Sequence, residues 1–282
     1  MKVGRVSGLQ SAFLVFTVIL VAVPLGTLLL HGLRSTPEEE ALVRRSLPFL
    51  LGALLILGVP GLRRATIREL GVGLPRGFGA ELALVAMIKV AVPFATVFAL
   101  GLWIWLDAGL LGLERRLAMS AEAEEARALS PLGVTTWMLV FVFAAPFVEE
   151  LAFRGFIYRA FERQWGWVAA TAITSALFGL YHAQFANAFL ASVLLVCVMR
   201  RAGTLWAAIA VHALGNLMLW YPLAGQLLLP RRGEATSPET WTLHMACFAV
   251  ACVAIPCYAW IARFPRPAAD EPAPDLHAAL PR

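Results

Sequence analysis

The chain has 282 residues, 60% of them hydrophobic and 15% charged, with a formal net charge of +5. A soluble domain is about half apolar and a quarter charged, and here the apolar excess sits in long blocks, so the composition argues for a chain that crosses a bilayer repeatedly rather than a soluble globule. Nearly all the cation is arginine, placed in pairs between the apolar blocks; that suits lipid headgroups and orientation signals, not a nucleic-acid-binding face.

The first apolar block, 11–30, follows Lys2 and Arg5. It is long for a signal-peptide core and lacks a clear small-x-small cleavage site, so it reads as a retained span. A short second block covers 47–61, and a third covers 80–106 with Lys89 and Pro93 inside it. The most polar stretch, 114–130, contains Glu122, Glu124, Glu125 and Arg127 and divides the chain. Further spans are expected at 135–160, 165–182, 187–199, 204–221 and 241–262. The tail after Phe264 is rich in Pro, Ala and Asp and is expected to be disordered.

The expected fold class is therefore all-α, a polytopic transmembrane helix bundle of about eight spans. Its parts are an N-terminal three-span region with a polar loop (1–134), a five-span core (135–262) and a disordered tail (263–282). No internal repeat is visible. Loop cations after even-numbered spans, such as Arg63, Arg64, Arg159, Arg163, Arg200, Arg201 and Arg263, outweigh those on the other side, such as Arg34, Arg44, Arg45, Arg231 and Arg232. Both termini are then cytoplasmic by the positive-inside rule. Scarce Lys and Asn beside plentiful Ala, Arg and Leu point to a GC-rich bacterial genome, and so to the inner membrane. Cys197, Cys247, Cys252 and Cys257 form no C-x-x-C pair, lie in apolar blocks and read as packing residues.

An ionisable side chain inside a span costs about 2.5–3.5 kcal/mol on insertion scales, so such residues face the bundle interior, are paired, and mark function. In Phe147-Val148-Glu149-Glu150-Leu151-Ala152-Phe153-Arg154, Glu150 and Arg154 are one helical turn apart and can pair. Glu149 is rotated about 100° away and is left available as a base. The bland reading is an interfacial helix end, where charges are common. His182, closing Phe178-Gly179-Leu180-Tyr181-His182, is either a catalyst or a hydrogen-bonded packing residue. His212 and Asn216 share one face of an apolar span and can donate to a common point, or act as an interhelical clamp. Lys89, alone in its span, either snorkels or pairs with a carboxylate such as Glu81, and receives no catalytic role. His31, His244 and His277 read as structural or solvated. Neither G-x-S-x-G nor H-E-x-x-H occurs, so no covalent nucleophile is indicated.

The ordered set E-E-x-x-x-R, F-x-x-x-H and H-x-x-x-N, here Glu149–Arg154, Phe178–His182 and His212–Asn216, resembles the CPBP family of intramembrane proteases. That group includes CAAX prenyl endopeptidases and bacterial relatives linked to bacteriocin processing, self-immunity and protein sorting. The resemblance spans about 148–216 and implies a helical bundle with a site opening into the membrane, which makes 135–262 the catalytic core. It also implies a peptidase that cleaves near the C-terminus of membrane-anchored or lipidated proteins. By that likeness Glu149 is the general base, His182 helps hold the water, His212 and Asn216 form the oxyanion hole, and Glu150 and Arg154 support them. The family has been described both as metalloproteases and as metal-independent glutamate proteases. Glu149, His182 and His212 can supply the two-His-one-carboxylate set of a catalytic Zn²⁺, but water activation by Glu149 without a tightly bound metal is the favoured expectation.

Two other classes remain open on sequence: a non-proteolytic immunity or binding protein of the same fold, and a proton-coupled transporter, since buried Glu, Arg and His also build relays. The lack of a repeat with paired broken helices weighs against transport. Because bacteria generally lack prenylated CAAX proteins, a true CAAX substrate is not expected of a bacterial chain, and sorting tails, which would make the enzyme myxosortase-like, and bacteriocin precursors are the open candidates. The partners expected are such a substrate and the lipid bilayer, with no nucleic acid.

Overall fold

A computed structural model describes residues 47, 49, 51–52, 74–75, 77–116, 138–182, 184–220 and 238–264. The expected span at 11–30, most of the one at 47–61, most of the polar stretch and the tail beyond Phe264 lie outside the described residues. Within the described residues every regular element is helical. α1 is Gly79–Arg116, α2 is Ala145–Glu150, α3 is Arg159–Tyr181, α4 is Phe185–Ala202, α5 is Leu205–Trp220 and α6 is Pro238–Ile261. Two π-helical segments, π1 (Val140–Ala144) and π2 (Leu151–Tyr158), flank α2.

Among the described residues three helical stretches are long and apolar enough to cross a membrane: Gly79–Leu106, Phe185–Ala202 and Trp241–Ile261, with mean hydropathies of 2.2, 1.5 and 1.8. Leu205–Met218 is a shorter apolar helix. These stretches and the outward-facing apolar side chains fit an integral membrane protein. Leu180 is 74% and Phe143 65% exposed, whereas Glu150 and Arg154 are fully buried. In water such a distribution would be costly; in lipid it is the favourable one.

The bundle forms because α1 packs on α6, α5 and α4, while α3 packs on α4. Leu151, Phe153, Leu194, Leu195 and Val211 are wholly buried between these helices. Between the fourth and fifth expected spans the helix is kinked at Gly166, whose φ of 77° and ψ of 169° belong to a region open essentially to glycine alone. α4 closes on Gly203 in the left-handed conformation, with Arg200 and Arg201 in its last turn, where cations meet the negative end of the helix dipole.

Candidate active site

The acids sit where the helix bearing them is least regular. In π1 the backbone N–H of Ala145 bonds the Val140 carbonyl, five residues back. Continuing that pattern, the partner of the Phe141 carbonyl would be residue 146, which is proline and has no N–H. A buried carbonyl without a partner is costly, and this one is satisfied from another helix: Asn216 Nδ2 of α5 donates to it at 2.9 Å.

Glu149 and Glu150 close α2, both buried. Glu150 Oε1 accepts from Arg154 Nη1 at 3.0 Å, the pairing that one-turn spacing predicts. The same oxygen lies 2.7 Å from His212 Nδ1. A carboxylate only accepts, so that ring nitrogen carries the hydrogen and donates. His212 Nε2 then faces Glu149, 3.8 Å from its Oε2. That gap is too long for a direct hydrogen bond and leaves both groups addressing the same region. Arg154 also lies over the Phe178 ring, 4.5 Å from its centroid, a cation–π contact of the kind favoured when desolvated. Glu150 Oε2 and Arg154 Nε and Nη2 are buried without a protein hydrogen-bond partner.

His182 is placed differently. It caps α3 in an extended conformation, and its Nδ1 is 2.8 Å from the Phe178 backbone carbonyl. Its ring packs on Phe178, centroid to centroid 4.3 Å, and Phe178 in turn meets the His212 ring edge-on at 6.2 Å. Phe178 therefore packs against both histidine rings. Among the described residues no group of three or more His, Cys, Asp and Glu side chains gathers so as to hold a metal. The expected alternative set of Glu149, His182 and His212 is thus not assembled. His182 turns its Nδ1 to its own helix end, and Glu150 already holds Nδ1 of His212.

Asn216 and His212, expected to donate to one point, have distinct partners. Besides its bond to Phe141, Asn216 accepts through Oδ1 from Lys89 Nζ at 3.0 Å. Lys89 is the residue that the sequence reading left without a role. It is buried on α1 and does not pair with Glu81, whose carboxylate instead takes Arg201 Nε at 3.2 Å and the Tyr258 hydroxyl at 3.0 Å. The signal available was a solitary lysine in mid-span; its partner, 127 positions away, was not legible.

An apolar cavity of about 450 Å³ is lined by Val142, Phe143, Phe147, Val148, Trp206, Ile209 and Ala213 among others. Val148 and Ala213 are the chain neighbours of Glu149 and His212.

Comparison with curated proteins finds no match, and comparison with solved structures finds none. Residues 131–218 match the family model described as Type II CAAX prenyl endopeptidase Rce1-like. The matched residues include every motif position from Glu149 to Asn216, and Lys89 lies before them. The match agrees with the resemblance carried by the three motifs, and over residues 131–218 the chain is similar to the Rce1-like family.

Proposed function

We propose that the chain is an intramembrane endopeptidase that uses a water activated by Glu149 to hydrolyse a peptide bond near the C-terminus of a membrane-anchored or lipidated protein. The observation that carries this reading is the unequal treatment of two adjacent buried acids. Arg154 and His212 both bond Glu150, while Glu149 faces His212 Nε2 across 3.8 Å. Glu150 is thereby neutralised and orients the imidazole, and Glu149 is left to take a proton.

The chemistry follows from these positions. A water between Glu149 and His212 Nε2 gives its proton to the Glu149 carboxylate as its oxygen attacks the scissile carbonyl carbon. The carbonyl oxygen gains the negative charge. Asn216 has one Nδ2 hydrogen beyond the one given to Phe141, and that hydrogen is a donor for the oxyanion. When the C–N bond breaks, Glu149 returns its proton to the leaving amine. In this reading His182 helps hold the water. The Rce1-like match supports a peptidase, and the apolar cavity beside Val148 and Ala213 suits a hydrocarbon chain or apolar side chains.

The test uses the full chain in phospholipid vesicles with a quenched fluorogenic peptide bearing an S-farnesyl cysteine and three further C-terminal residues. The wild type is expected to cleave it. Glu149→Ala is expected to lose cleavage while keeping the wild-type melting midpoint. A Glu149→Ala protein that still cleaves would remove the base assignment.

A further inference from the structure

Lys89 is an expensive residue. It stands in the Gly79–Leu106 stretch, 5% exposed, where a cation persists only with partners. Its ammonium donates to Asn216 Oδ1 at 3.0 Å, and its charge is felt at both Glu149 and Glu150. Among the described residues Lys89 and Arg154 are the buried Lys and Arg side chains, matching in number the buried Glu149 and Glu150, and Arg154 is committed to Glu150. The opposite helix is built to admit it. A Cβ at Gly215 would stand 2.7 Å from Lys89 Cδ and Nζ, closer than packed atoms allow, so the glycine leaves room for the lysine.

The hydrogen bonds also settle how Asn216 is turned. An ammonium only donates, so the amide oxygen must face Lys89; a backbone carbonyl only accepts, so the amide nitrogen must face Phe141. With both ends held, the direction of the remaining Nδ2 hydrogen is fixed. Without Lys89 the amide is anchored at one end only and can rotate.

We propose that Lys89 is a positioning residue: it locks the Asn216 amide and provides the counter-charge that completes the buried group around Glu149. The proposal rests on the peptidase reading above and concerns a residue outside the matched segment.

In the same vesicle assay, Lys89→Met, close in volume and uncharged, lowers kcat about 10- to 100-fold, the scale set by small misplacements of catalytic groups, with KM within about twofold. Asn216→Ala lowers kcat similarly, and the double variant loses no more than the worse single, because the lysine acts through the asparagine. Unchanged kcat in Lys89→Met, or losses that multiply in the double variant, would overturn the proposal. Glu149→Ala, run alongside, separates the two claims. If it is inactive while Lys89→Met is fully active, the peptidase reading stands and the positioning role falls. If it cleaves normally, the base assignment falls. Melting in detergent supplies a readout free of substrate: midpoint losses in Lys89→Met and Asn216→Ala that fail to add support the contact, and additive losses overturn it.

Discussion

Adjacent glutamates on a helix have different neighbours, and here that difference divides their work. Glu150 is fully buried against Arg154 and His212, so removing its charge leaves an arginine uncompensated in the interior. Such a loss costs about 3–5 kcal/mol. Glu150→Ala is therefore expected to lower the melting midpoint sharply and to deplete folded protein in detergent extracts, whereas Glu149→Ala keeps its fold. Equal melting of the two variants would contradict the division. The Glu150–Arg154 pair was legible because it depends on spacing within one helix. The Lys89–Asn216 bond was not, because nothing in a local pattern tells a lysine on α1 which distant span will pass beside it. Glu81 looked the natural partner only because it was near in sequence.

At the scale of the element, the irregular helix around α2 is the feature that sequence periodicity does not show. Runs of five and eight residues such as π1 and π2 are too short to separate i→i+5 from i→i+4 bonding. Pro146 was the local clue, since it denies the Phe141 carbonyl a partner and so calls for the side chain of Asn216. Pro146→Ala restores a backbone N–H that competes with Asn216. The expected result is a several-fold lower kcat at unchanged or higher melting temperature; a drop in melting with kcat intact would show that the proline serves folding alone. The kink inside α3 illustrates the converse. The reversal was read between 160 and 165 from a break in hydrophobicity, and the helix kinks at Gly166, the position with the backbone freedom to do so.

At the scale of the whole molecule, charged side chains from separate helices gather in a second group among the described residues. Glu81 of α1, Glu162 of α3, Arg200 and Arg201 of α4 and Tyr258 of α6 meet through hydrogen bonds and ion pairs there, and Arg200 lies 4.9 Å from the Trp167 ring centroid. The alternation of spans had already put 159–163, 200–201 and 263 on one side, since each follows an even-numbered span, so this grouping was open to a reading of the sequence. In whole bacterial cells a cysteine introduced by Phe264→Cys, in a background with Cys197, Cys247, Cys252 and Cys257 replaced by alanine, is expected to escape a membrane-impermeant maleimide and to react once the membrane is opened. Labelling of intact cells would reverse the assigned orientation.

The cavity beside Val148 and Ala213 has Phe143, 65% exposed, on its rim. Under the proposed function, a substrate that meets the enzyme there arrives sideways along the bilayer. The encounter is then a search in two dimensions, and concentration means mole fraction in lipid rather than molarity in water. Adding empty lipid to a fixed volume would dilute the reactants, and adding buffer would not. Enzyme and substrate in the same leaflet would then meet at a rate set by lateral diffusion and crowding, much as reactants share a surface.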